Sequence, residues 1–178
     1  MLATANKLMI AFTLVVFVAQ MVYWYGRLPD PLPSHFDAQG QVDGEMSKNG
    51  FYVLMGLMNT FFLIGFPLLG KLLGRVPNSM INMPNKEYWL APERRDKTIA
   101  KNCVLLTAIG WMTGWLFIGI IQLTALVAVK ARDSISPEFT WLMAIYLIGI
   151  TAAVVFLIAS FRVSKSAVSN TAGNPQTQ

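Results

Sequence analysis

Four stretches of this chain carry no charged residue, and each is long enough to cross a hydrocarbon layer. They lie between Lys7 and Arg27, Lys48 and Lys71, Lys101 and Lys130, and Glu138 and Arg162. A spanning helix needs about 20 mostly apolar residues at ~1.5 Å each. None of the four shows a charged face repeating every 3.6 residues, so none reads as an amphipathic surface helix. The expected fold is an all-α integral membrane domain over residues 1–162, with spans at about 8–26, 49–70, 102–129 and 139–161. An outer loop at 27–48 and an inner basic loop at 71–101 join them. Composition agrees, because only 13% of the residues are charged and 54% are hydrophobic, against about 25% charged in a soluble domain. The first stretch exceeds the ~7–15 residue apolar core of a cleaved signal and ends in QMVYWYG rather than small residues, so it reads as a permanent anchor.

Lys and Arg set the orientation. Lys7, Lys71, Arg75, Lys86, Arg94, Arg95, Lys97, Lys101, Arg162 and Lys165 fall at the termini and in the middle loop, and only Arg27, Lys48, Lys130 and Arg132 fall on the other side. The positive-inside rule then places both termini in the cytoplasm and residues 27–48 outside. The formal charge of +5 follows from this topology and from anionic lipid, not from nucleic-acid binding. A single Cys, Cys103, and a single His, His35, exclude an internal disulfide framework and any zinc site made from those two residue types alone.

No Asp, Glu, Lys, Arg or His lies well inside a span, which argues against a self-contained pump or transporter. Gln20, Asn59, Gln122 and Thr124 are uncharged and read as hydrogen-bond partners between helices. Helices in lipid associate by close packing, so Gly110 with Gly114, and Gly149 with Ala153, mark helix-packing faces within the bundle. Pro67 is expected to kink the second span with room from Gly65. Tyr23, Trp24, Tyr25, Trp89 and Trp141 near span ends read as interface aromatics.

Special residues concentrate in RLPDPLPSHFDAQGQVDGEMSKNG. Pro29, Pro31 and Pro33 impose extended backbone and predict a polyproline-like strut. Gly40 and Gly44 permit turns, Asp37 and Asp43 suit Asx turns, and Ser47 or Asn49 can cap the next helix. The loop is expected to be ordered, with His35 a buried hydrogen-bonding member whose replacement by Ala costs about 1–3 kcal/mol. His35 with Asp37, Asp43 and Glu45 also has the chemistry of a metal or acid/base site, although the spacing is no known metal signature. Ser34 beside His35 makes no nucleophile–base pair, because neighbours on a strand face opposite sides.

The string LPDPLPSHFDAQGQVDG, followed by Ser47-Lys48, resembles the signature loop of a bacterial membrane family of unknown function. That domain is shared with the N-terminal part of SdpI-type immunity proteins, which protect cells against a secreted toxin. The likeness covers about residues 10–75 and implies a bacterial cytoplasmic membrane location. By this resemblance Pro33, His35, Phe36, Gly40, Asp43 and Lys48 carry the motif, and with Asp37 they are the candidate ligand or partner contacts.

In the basic loop, Pro77, Pro84 and Pro92 break the chain into short pieces, and Pro92-Glu93 starts a helix that runs into the third span. Tyr88, Trp89 and Leu90 are expected among lipid headgroups, with Arg94, Arg95, Lys97 and Lys101 on phosphates. Residues 163–178 are small and polar and read as a disordered tail. These features point to a non-enzymatic protein without cofactor, which binds a ligand, lipid or protein at the envelope. The alternatives are a small accessory subunit of a larger membrane complex and a metal-assisted enzyme centred on His35.

The charge distribution is testable by labelling. With Cys103→Ser as background, Gln41→Cys should react with an impermeant thiol reagent from outside the cell and Ser79→Cys only from the cytoplasm. The reverse pattern overturns the orientation.

Overall fold

One helix organises the bundle. The computed structural model describes residues 2–162, and the segment expected to be a disordered tail lies outside them. In chain order it contains α1 (Leu2–Tyr25), β1 (Leu32–Phe36), β2 (Val42–Met46), α2 (Lys48–Thr60), α3 (Phe66–Leu72), α4 (Lys86–Trp89), α5 (Pro92–Ala128) and α6 (Glu138–Ser160). A π-helical turn at Phe61–Gly65 joins α2 to α3 without interruption. Four segments are long and apolar enough to cross a membrane: Ala5–Tyr25, Lys48–Leu72, Pro92–Ala128 and Glu138–Ser160. These match the four charge-free stretches. The 37 residues of α5 extend about 55 Å at 1.5 Å per residue, beyond the ~30 Å hydrocarbon core.

Helix α5 is the post on which the others lean, and its small residues mark the crossings. A Cβ on Gly110 would run into the Phe62 carbonyl oxygen, and one on Gly114 into Leu63 of the same π turn, with the Thr13 methyl of α1 at 3.4 Å. A Cβ on Gly119 would lie 2.7 Å from Leu142 of α6. From α6, Gly149 meets Met112, while Ala153 is half-buried nearby along the same helix. The expected packing glycines therefore seat helices of this chain against one another. Polar bonds fasten the crossings: Asn59 Nδ2 donates to the Gly114 carbonyl at 3.4 Å, and Gln20 Nε2 donates to the Ile118 carbonyl at 3.0 Å.

Pro67 enters the second span by a different route from the expected open kink. A proline cannot donate to the carbonyl four residues back and crowds it. Here that residue, Leu63, lies within the π turn, a looser coil that accommodates such a lost bond. A second correction concerns the all-α expectation, since residues 32–46 form a two-stranded antiparallel hairpin. Trp24 is the third. Read as an interface aromatic, it is instead buried in a core cluster with Phe17, Leu28, Leu32, Phe51 and Ile121, and its indole N–H donates to Gln122 Oε1 at 3.1 Å.

The glycine contacts differ in what can give way, so their substitutions should differ in cost. Gly110→Ala meets a backbone carbonyl, whereas Gly114→Ala meets the end of a leucine side chain. Gly110→Ala is expected to lose about 1–3 kcal/mol, as overpacked cores do, and Gly114→Ala less. Gly56→Ala, with nothing within 4 Å, should be neutral or slightly stabilising. Thermal unfolding of the purified variants in mild detergent ranks them, and equal melting temperatures for Gly110→Ala and Gly56→Ala refute the close-packing account.

Candidate functional site

The hairpin stands at one end of the bundle and is fixed at its root, its flank and its tip. At the root, Leu28 and Leu32 sink into the core cluster. The Asp30 carboxylate accepts the Lys48 backbone N–H at 3.0 Å, and Lys48 Nζ turns inward to the Leu28 carbonyl at 3.2 Å, over the Tyr25 ring. Ser47 caps α2 by accepting the Gly50 N–H at 3.2 Å. Asn49, the other candidate cap, instead accepts the Tyr25 hydroxyl at 2.9 Å. Lys48 and Pro33 are thus structural parts of the hairpin: the first ties its root and the second is buried in β1.

At the tip, Asp37 Oδ1 accepts the backbone N–H groups of Gln39 and Gln41 at 2.9 and 2.8 Å, the Asx geometry expected from sequence. Gly40 supplies the positive φ, +80°, that closes the turn. Its carbonyl accepts the Ile135 N–H at 3.1 Å, and a Cβ there would lie 2.6 Å from Ser136 Oγ. The tip is therefore pinned to the α5–α6 connection.

Three expectations for the loop change. Asp43 makes no Asx turn; it pairs with His35 Nδ1 at 2.5 Å across the hairpin. Gly44 makes no turn either, and lies in β2 opposite His35, where a Cβ would come within 2.9 Å of the His35 Cβ. The third is His35 itself, which is not buried: its side chain is 75% exposed and that of Asp43 44%. Of the predicted polyproline strut, Pro29 and Pro31 precede β1 and only Pro33 lies in paired strand, with a register shift between Pro33 and His35. That bulge also removes the strict alternation assumed for Ser34 and His35, and both residues border one cavity.

This cavity, about 660 Å³, is the main feature of the hairpin end. Ser34, His35, Phe36, Asp37 and Gly40 form its rim, and below them Phe51 and Met55 of α2, Leu123 and Thr124 of α5, and Phe139 and Met143 of α6 form apolar walls. Its size is that of a small-molecule or side-chain binding chamber, ~300–1,000 Å³. Thr124, expected to bond between helices, is a buried part of this wall. The sequence reading missed Ile135, Ser136 and Phe139, since nothing in KARDSISPE signals a contact with a glycine carbonyl far away in the chain. Of the lining residues Asp37 alone is acidic, while Asp43 and Glu45 stand exposed on the neighbouring strand β2. Such an arrangement can hold an amphiphile whose polar end is cationic. Among the described residues no three His, Cys, Asp or Glu side chains come together as a metal site would need. Asp37 Oδ1 is already taken by the turn.

The opposite end carries the residues expected on lipid phosphates, and it is a folded knot. Arg95 donates to the Gly74 and Val76 carbonyls at 3.0 and 2.8 Å and to Asn78 Oδ1 at 2.9 Å, which commits its guanidinium to the chain itself. Arg94 donates to the Tyr88 carbonyl at 2.7 Å and stacks over the Tyr88 ring. Trp89 donates to the Phe161 carbonyl at 3.0 Å, Leu90 is buried, and Lys101 lies over the Phe161 ring. Only Lys97 of this set stands fully exposed. Tyr88, Trp89, Arg94 and Arg95 therefore act first as internal clamps.

Comparison with known proteins meets the same region of the chain. No curated protein and no solved structure matches it. Residues 8–59, which run from α1 through the whole hairpin to the end of α2, are similar to a family described as a domain of unknown function, DUF1648.

Proposed function

We propose that the protein is a non-enzymatic binding protein of the bacterial cytoplasmic membrane, with both termini in the cytoplasm and the hairpin outside, and that it captures cationic amphiphilic peptides at the envelope. The observation that carries this reading is an apolar chamber of about 660 Å³ with Asp37 at its rim and the exposed carboxylates of Asp43 and Glu45 on the adjoining strand. A peptide of that kind places an apolar side chain among Phe51, Phe139 and Met143, and its cations at Asp37 on the rim, at Glu45 on β2 and at Asp43, where it competes with His35. The two basic residues of the hairpin segment turn elsewhere, Lys48 to the Leu28 carbonyl and Arg27 over the Tyr23 ring, and neither forms an ion pair with these carboxylates. Charge complementarity of this sort acts mainly on capture rate and selectivity, and burial in the chamber on residence. The resemblance of the hairpin motif to SdpI-type immunity proteins supports the same direction, since toxin sequestration needs a receptor facing outward. The glycines that suited an accessory subunit are used inside the chain, which favours the receptor over the accessory role.

The test uses the full chain in phosphatidylcholine nanodiscs, whose uncharged lipid does not itself attract cations, titrated with a fluorescent Lys/Leu amphipathic peptide. Saturable binding above that of empty discs is expected. Asp43→Asn with Glu45→Gln should weaken it about tenfold, the equivalent of ~1.4 kcal/mol, and Ala144→Phe, which fills the chamber, should weaken it at least as much. Binding no better than to empty discs sinks the proposal.

The His35–Asp43 pair gives a second measurement. Because the imidazole is exposed, His35→Ala should change the melting temperature little, by less than the ~1–3 kcal/mol of a buried orphaned partner. Elemental analysis should find Zn, Mn, Fe and Cu well below one per chain. About one metal per chain, lost in His35→Gln, would favour the metal-assisted enzyme instead.

A further inference from the structure

A second and larger hollow, about 1180 Å³, opens between α1, α5 and α6. It shares no lining residue with the hairpin chamber. Along α5 it runs from Trp111 to Leu126 and along α1 from Val16 to Trp24, which is the hairpin-side half of both helices. Tyr23, Trp24, Trp111, Trp115 and Tyr146 line it, and no Asp, Glu, Lys, Arg or His does. A charged headgroup therefore finds no counter-ion there.

Its polar atoms are unevenly satisfied. Gln122 Oε1 accepts from both Gln20 Nε2 and Trp24 Nε1, each at 3.1 Å, and the Tyr146 hydroxyl pairs with Thr113 Oγ1 at 3.0 Å. Three buried atoms of the lining residues lack a partner: the indole N–H groups of Trp111 and Trp115, and Gln20 Oε1. Gln20 cannot be flipped to cure this, since its amide N–H groups are already engaged by the Ile118 carbonyl and by Gln122. Unpaired donors and acceptors away from water are costly, and a bilayer supplies little water to relieve them.

The occupant that answers these groups must be neutral. It must offer oxygen acceptors to the two indoles and present a flat face to aromatic walls, and in a reduced form it can add a hydroxyl for the amide carbonyl of Gln20. A neighbouring transmembrane helix has its backbone groups bonded internally and offers none of these from its main chain. We propose that the groove binds a neutral, lipid-soluble molecule of the quinone/quinol class, its oxygen-bearing ring among Trp24, Trp111, Trp115 and Tyr146 and its apolar tail directed along α5. A modest turn of the two indoles accompanies binding, because their N–H groups are covered by neighbouring atoms.

Decylubiquinone is the probe, added to the full chain in phosphatidylcholine nanodiscs, with tryptophan fluorescence and melting temperature as readouts. A saturable quenching component above the linear collisional background, together with a raised melting temperature, is expected. Ala19→Phe, which puts bulk into the groove, should abolish both, and Trp111→Phe, which keeps the ring but loses the donor, should weaken binding about fivefold, as one neutral hydrogen bond does. Strictly linear quenching overturns the proposal. So does an equal stabilisation by decane, which would make the groove a slot for acyl chains only. Ala19→Phe should leave binding of the Lys/Leu peptide at the hairpin unchanged, so the two sites fail or stand separately.

Discussion

Close approach of backbones at α5 is the constraint on which the rest of the structure depends. In lipid a leucine gains little by leaving the solvent for a helix interface, so helices are held by packing at short distance and by hydrogen bonds. Gly110 and Gly114 let the π turn come close enough that the Phe62 carbonyl occupies the space of an absent side chain at Gly110, and Leu63 with Thr13 of α1 closes on Gly114. Once those backbones touch, Asn59 reaches the Gly114 carbonyl and Gln20 the Ile118 carbonyl. The polar bonds are therefore consequences of the glycine contacts, and a larger side chain at Gly110 would lengthen them as well as the packing distance.

The same crossing sets where the hairpin stands. The core cluster joins Phe17 and Trp24 of α1 to Ile118, Ile121 and Ala125 of α5, and it is completed by Leu28 and Leu32 from the hairpin root and Phe51 from α2. Burying the root orients β1 over the bundle, and the bond from Ile135 to the Gly40 carbonyl holds the far end. A short two-stranded ribbon is marginal on its own. Here it gains order from apolar residues below, from the Asp30 and Lys48 bonds at its root and from a main-chain bond at its tip, which leaves Glu45 exposed while Asp43 pairs with His35.

The four spans were legible in the sequence because the bilayer sets a length that charges reveal directly. Ser47 as a cap, Asp37 as an Asx turn and Pro92 as a helix start were legible as well, since each depends on residues only two to four positions away. What escaped depends on distant partners. The proline-rich spacing hid a strand that begins at Leu32, includes Pro33 and exists because residues 42–46 pair with it. Trp24 looked like an interface aromatic by position, and is a core residue because Gln122, far along the chain, takes its N–H. Arg95 looked available to phosphate, yet a turn of the preceding loop brings two carbonyls to it. The hairpin's tip contact involves a main-chain carbonyl, which no side-chain pattern can announce.

Helix α6 shows how these elements act together. Its span has a mean hydropathy of 2.6 with no residue of that window fully buried, and the face it turns to α5 is half-buried. Its position is fixed at intervals. Arg132 pairs with Glu138 at its start, Leu142 and Gly149 meet Gly119 and Met112 along its length, and Asn85 and Trp89 both donate to the Phe161 carbonyl at its end. The last contact satisfies a helix-end carbonyl that would otherwise lack a partner. Along the seam with α5, Gly119 and Leu142 face the larger groove while Ile120 and Met143, one residue on, face the hairpin chamber. The two hollows therefore share a wall one side chain thick. A shift of α6 that widens one reshapes the other, and it is resisted by the contacts at both ends, by the Gly119 and Met112 contacts along the seam and by the Thr113–Tyr146 bond.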